Sequence, residues 1–71
     1  MPLYEVRKNQ IVRLLHLPDD HQLKQLGLRQ GMCVTVVSRH PLGGPVVVRV
    51  EQRDIAIDKA IACAIDVELS V

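Results

Sequence analysis

Residues 23–31 read Leu23-Lys24-Gln25-Leu26-Gly27-Leu28-Arg29-Gln30-Gly31, residues 39–45 read Arg39-His40-Pro41-Leu42-Gly43-Gly44-Pro45, and residues 46–50 read Val46-Val47-Val48-Arg49-Val50. A short helix stops at a glycine, an alternating apolar run follows, and a turn bracketed by prolines leads into a second run. Gly27 can take the left-handed conformation that ends a helix. Asp19 and Asp20 stand just before the helical run, where a carboxylate caps free N–H groups and meets the positive end of the helix dipole. Pro41 and Pro45 have no N–H to donate, which places them at strand ends or on an edge. Gly43 and Gly44 are expected to supply the positive φ angles of a tight turn.

Outward from this centre the pattern is mostly strand. Residues 10–17 form a first strand with imperfect alternation, since Ile11 and Val12 are both apolar, as are Leu14 and Leu15. A helix is predicted over about 20–26, with Leu23 and Leu26 on one face and His21, Gln22 and Lys24 outward. In a second strand over 32–39, Met32, Val34 and Val36 share one face and Cys33, Thr35 and Val37 the other. In a third, Val46, Val48 and Val50 point to the core and Arg49 to solvent. Residues 51–54 are polar and read as a turn, followed by a strand over 54–58 with Ile55 and Ile57 inward. Residues 59–62 suit one helical turn capped by Asp58. The last strand alternates most regularly, with Ile65, Val67 and Leu69 against Asp66, Glu68 and Ser70. Leu3 and Val6, with Pro2, are expected to pack against the sheet.

A chain of 71 residues holds one domain, assigned here to 1–71. A domain this small buries only about 60% of its unfolded surface. With one tyrosine, no phenylalanine and no tryptophan, the core must be aliphatic. About five short strands, tight turns and one small helix make an all-β, partly open small barrel.

Nine basic and eight acidic residues give a formal charge of +1, spread along the chain without a basic patch. Nucleic-acid binding calls for such a patch, and single-strand binding also for stacking aromatics. No run approaches the ~20 apolar residues that span a bilayer, and residues 1–10 lack the apolar stretch of a signal peptide. A cytoplasmic location is expected, with Cys33 and Cys63 reduced and serving as small strand-packing groups.

Catalytic chemistry finds no footing. Ser38 and His40 lie two apart on a strand without an orienting acid or an oxyanion hole. Gly43-Gly44 lacks the following Lys-Ser or Lys-Thr of a phosphate loop. His16, His21 and His40 are scattered and no Cys-x-x-Cys pair exists, so no intrinsic metal site and no cofactor are expected. What remains is surface. Leu42 sits at a turn, where it either plugs the barrel end or meets a partner; Leu26, at the helix end, reads as a plug.

The Leu26-Gly27-Leu28 step after Leu23, Gly31, and the Pro41-Leu42-Gly43-Gly44-Pro45 hairpin together resemble the FeoA family, small SH3-like barrels of bacterial ferrous iron transport. Ile55-Ala56-Ile57 and Ile65-Asp66-Val67 fall where that family has its last strands. The resemblance implies an SH3-like barrel of about five strands with one short α-helix. It implies a non-enzymatic cytoplasmic accessory protein whose partner is the membrane Fe(II) transporter with a GTP-binding domain, FeoB. Partner contacts are then expected from Leu26, Gly27, Pro41, Leu42 and Gly43. Stimulation of GTP hydrolysis would need an exposed arginine, with Arg39, Arg49 and Arg53 to test. The aromatic-lined groove that binds proline-rich ligands is missing, so the SH3-like shape does not bring that activity. Two alternatives remain: the SH3-like regulatory module at the C-terminus of iron-dependent repressors, and a stand-alone transition-metal-binding protein. The uncharged run at residues 60–64 departs from the more basic C-terminal stretches of the family.

Overall fold

In the computed structural model, which describes residues 1–40 and 42–70, a 3-10 turn at Leu3–Glu5 precedes five strands and two short helices. These are β1 (Ile11–His16), α1 (His21–Gln25), β2 (Cys33–Arg39), β3 (Val46–Val50), β4 (Arg53–Ile57), α2 (Lys59–Ala64) and β5 (Asp66–Leu69). One antiparallel sheet has the order β4-β3-β2-β1-β5. It curls into a small SH3-like barrel. The edge of β5 is covered by the amino-terminal segment: Val67 N–H donates to the Met1 carbonyl at 2.8 Å and Leu3 N–H to the Ile65 carbonyl at 2.9 Å. Such cover blunts an edge that could otherwise pair with another chain.

The core follows from the period of two. Val12 and Leu14 of β1, Val34 and Val36 of β2, Val46, Val48 and Val50 of β3, Ile55 and Ile57 of β4, and Val67 of β5 are all buried. Leu3, Val6, Leu23, Leu28, Ala62 and Ile65 close the ends. Among the described residues no polar or charged residue is buried. Each buried aliphatic side chain contributes about 1.5–3 kcal/mol of transfer free energy, set against the entropy of ordering the chain.

Both helices begin as the sequence predicts. Asp20 accepts the Gln22 N–H at 2.8 Å and Asp58 accepts the Ile61 N–H at 2.9 Å. The end of α1 is a complete Schellman motif: Gly27 N–H donates to the Lys24 carbonyl and Leu28 N–H to the Leu23 carbonyl, each at 3.1 Å. Gly27 has φ +84°, and buried Leu23 and Leu28 supply the apolar contact that accompanies this ending.

Several boundaries differ from expectation. Strand β1 is shorter than 10–17 and helix α1 shorter than 20–26, while α2 continues to Ala64. Residues 51–54 are not all turn. Glu51, at φ +59°, tightens the connection enough to pair Val50 with Arg53, so β4 starts one residue early. Leu69 lies at the open end of β5 and is 45% exposed. In the hairpin Gly43 has positive φ, +93°, and Gly44 does not. Gly44 is constrained by space instead: a Cβ there would lie 2.6 Å from His40 Cβ.

The departure that matters most for function is in β2. The ladder with β3 pairs Val36 with Val48, then Ser38 with Val47 and Arg39 with Val46. Val37 is therefore an extra residue, a β-bulge. Simple alternation would put Arg39 on the outer face with Thr35 and Val37. The bulge reverses the parity and places Arg39 opposite fully buried Val46, at one end of the barrel.

Candidate functional site

The β2–β3 hairpin projects from that end. Leu42 is 99% exposed, so it does not plug the barrel. Pro41, also expected at this surface, lies outside the described residues. Tyr4, on the 3-10 turn, is packed against the core. The Arg39 guanidinium carbon is 5.4 Å from the centre of its ring, and so is Lys59 Nζ, from the start of α2. Both distances are within the range of cation–π attraction. Lys59 also runs along the loop: a Cβ on Gly43 would be 3.9 Å from its Cδ and Nζ.

Leu26 and Gly27 form a second point. Leu26 is partly buried against the core, as a plug is. Its carbonyl accepts a hydrogen bond from an Arg53 amino group at 3.2 Å. Together with Leu23, Pro45, Ile57 and Ile61 it lines a groove of about 340 Å³. Asp58 borders the same groove and its neighbour Lys59 lies beside Gly43, so the start of α2 separates the two points.

The FeoA domain family matches this chain over residues 1–69. The chain belongs to the FeoA family. No match was found among curated proteins. Among solved structures it is similar to an iron uptake regulatory protein, FeoA, at TM-score 0.87 and 27% identity, over 99% of this chain and 96% of that one. Iron(II) transport protein A from Clostridium thermocellum is similar at TM-score 0.87 and 27% identity, over 97% of this chain and 45% of that one. A manganese-dependent transcriptional repressor in complex with manganese is similar at TM-score 0.87 and 18% identity. That likeness covers 99% of this chain and 36% of the repressor, and it shows a shared fold.

Of the three arginines named as candidates in this FeoA-family chain, two are engaged within the barrel. Arg49 on β3 faces Asp54 on β4, donating from Nε to Oδ1 at 2.8 Å and from a terminal nitrogen to Oδ2 at 3.2 Å. The hydrogen bond from Arg49 holds the Asp54 carboxyl below its ordinary value, and the same bond raises Arg49. Arg53 is committed to the Leu26 carbonyl. Arg39 differs, for its Nε is buried without an acceptor among the described residues.

The histidines and cysteines do not converge. His16, His21 and His40 are exposed on separate segments, and no group of three or more His, Cys, Asp or Glu side chains gathers among the described residues. Cys33 and Cys63 are free and exposed, contrary to their expected role in strand packing. Cys33 lies on the outer face of β2, by the same alternation that buries Val34. Cys63 is on α2, a helix, whose buried residue is its neighbour Ala62. No helix among the described residues is long and apolar enough to cross a membrane.

Sequence reasoning named Leu42 and Gly43 but missed Tyr4 and Lys59. Tyr4 was visible as the single aromatic residue, and a lone ring in an aliphatic domain was the one available signal. Nothing in the local sequence of Lys59 pointed toward the hairpin.

Proposed function

We propose that this protein is a non-enzymatic accessory protein of ferrous iron uptake, acting on the cytoplasmic side by binding the GTPase-linked Fe(II) transporter, FeoB. Membership of the FeoA family and likeness to an iron uptake regulatory protein over nearly the whole chain support a role in ferrous iron transport. In this reading residues 1–71 act as one barrel domain, and Leu26, Gly27, Pro41, Leu42 and Gly43 contribute to the contact surface. The observation that carries it is Leu42. A leucine held 99% exposed at the tip of a hairpin, in a family member, adds nothing to the core and is available to a partner.

The test is binding of the purified protein to the cytoplasmic GTP-binding portion of a ferrous iron transporter in its nucleotide-free, GDP and GTP-analogue states. Binding is expected, and Leu42→Glu should weaken it while Glu68→Lys, on β5, should not. Failure of the unaltered protein to exceed background in every nucleotide state would remove the transporter from this reading.

A further inference from the structure

We infer that Tyr4, Arg39, Lys59 and Leu42 form one docking surface for an acidic, leucine-bearing segment of a partner protein. The transporter reading above supplies only the identity of that partner; the surface itself rests on three observations.

The first is charge. Two cations share one ring, each 5.4 Å from its centre. Among the described residues neither has a carboxylate within salt-bridge distance, although Met1, Arg13, Lys24 and Arg49 each have one. Of the acidic residues adjoining the cluster in sequence, Asp58 spends its carboxylate on the Ile61 N–H, and Glu5 makes no ion pair with either cation. The ring attracts each cation, but the cations repel one another, and the cluster lacks an anion that would offset this.

The second is the polar atom left over. Arg39 Nε is buried with no acceptor among the described residues, whereas buried polar groups are generally satisfied. The bulge at Val37 turns Arg39 into this position. Nε itself is out of a partner's reach, but the guanidinium's terminal nitrogens are not among the buried unsatisfied atoms, and a partner carboxylate would pair with them and relieve the charge imbalance.

The third is adjacency. Gly43 lies beside the Lys59 side chain, and the next residue back is the exposed Leu42. Charge from α2 and apolar surface from the hairpin thus lie side by side, which fits a segment that carries both carboxylates and leucine. An anionic membrane is the poorer match. Membrane-surface binding by charge uses clusters of roughly 4–8 basic residues or a broad apolar face. The cluster has two cations and one adjoining exposed leucine, Leu42, and the chain carries a net charge of only +1.

The experiment has two arms, both on the full chain. In the first, amide resonances are followed during titration with a synthetic peptide of alternating glutamate and leucine, with a lysine–leucine peptide and phosphatidylglycerol vesicles as controls. Shifts centred on Tyr4, Arg39, Leu42 and Lys59 are expected with the acidic peptide alone. In the second, affinity for the transporter's cytoplasmic portion is compared among the unaltered protein, Lys59→Gln, Arg39→Gln/Lys59→Gln and Arg13→Gln. The double variant should lose about tenfold in affinity and most of the salt dependence, Lys59→Gln part of each, and Arg13→Gln neither. Lys59→Gln, at an exposed position, keeps the test valid should Arg39→Gln destabilise the domain.

If the transporter portion binds and both charge variants bind as tightly as the unaltered protein, the surface is overturned and the transporter reading stands. If the acidic peptide moves these resonances but the transporter portion does not bind, the surface stands and the transporter reading falls. If neither probe moves them, or if phosphatidylglycerol vesicles do and the peptide does not, the inference is overturned.

Discussion

Arg49 and Asp54 face each other across β3 and β4 and share two side-chain hydrogen bonds, at 2.8 and 3.2 Å. This bidentate pair lies on the outer face of the β3–β4 hairpin, one register position from the buried Val48–Ile55 pair on the inner face. The bond from Arg49 lowers the Asp54 pKa in the folded chain relative to the unfolded one. A lowered carboxylate contributes stability above its unfolded pKa and loses it as pH falls through the folded value. The melting temperature of Asp54→Asn should therefore lie slightly below that of the unaltered protein at neutral pH. The difference should shrink below about pH 4 and also in high salt, since both groups are solvent-exposed. A difference that persists unchanged at pH 2 would show that the pair's charge is not its contribution.

Val67 is 1% exposed, at the centre of β5 opposite Leu14. Val67→Asp would put an unpaired charge among aliphatic side chains. The total stability of a domain this size is about 4–10 kcal/mol, and the cost of an unpaired buried charge is comparable. The variant is expected to be unfolded at 25 °C by circular dichroism. A cooperative melt near that of the unaltered protein would remove Val67 from the core.

Leu42→Glu is expected to leave the melting temperature unchanged, because the side chain touches solvent and not the core. Its effect should appear in binding, on the order of 1–2 kcal/mol, as for an interface leucine that is not an aromatic hot spot. A loss of stability approaching that of Val67→Asp would show that the hairpin folds back onto the barrel.

Gly44 and Gly31 should fail for different reasons when changed to alanine. At Gly44 the new Cβ would lie 2.6 Å from His40 Cβ and 2.8 Å from its Cγ, a collision with the root of a side chain. At Gly31 nothing lies within 4 Å, but φ is +90°. Each substitution should cost about 1–3 kcal/mol, by overpacking in the first and by backbone strain in the second. Adding His40→Gly should recover much of the loss at Gly44 and none at Gly31, which a double-mutant thermal-melt cycle would resolve.

The capping aspartates offer a smaller and separable effect. Asp58→Ala leaves the Ile61 N–H without its side-chain acceptor and should cost about 0.5–2 kcal/mol. Because Asp58 makes no ion pair with Lys59, its removal should leave binding of an acidic segment unchanged as long as α2 keeps its start. Weaker binding after Asp58→Ala would show that the capped start of α2 positions Lys59 for the partner.

The barrel was legible in local patterns of the chain. The valine alternation in β3, Ile55 with Ile57, the caps at Asp20 and Asp58 and the Schellman glycine at 27 are local rules of period, hydrogen bonding and φ. They act within a few residues, so they could be read without knowing the partners of each strand. The Leu-Gly step and the proline-bracketed hairpin likewise carried the family. The face that Arg39 occupies was not legible there, because the Val37 bulge arises from the register between β2 and β3, and a shift of one residue reverses every side chain beyond it. Nor was the meeting of Tyr4, Arg39 and Lys59. They come from the 3-10 turn, the end of β2 and the start of α2. Contacts across such separations are set by closure of the barrel, which no local pattern records. The same limit explains the two cysteines. Cys63 is expected from the sequence to pack as a small strand residue, and only the inward packing of Ala62 fixes it on the exposed side of a helix.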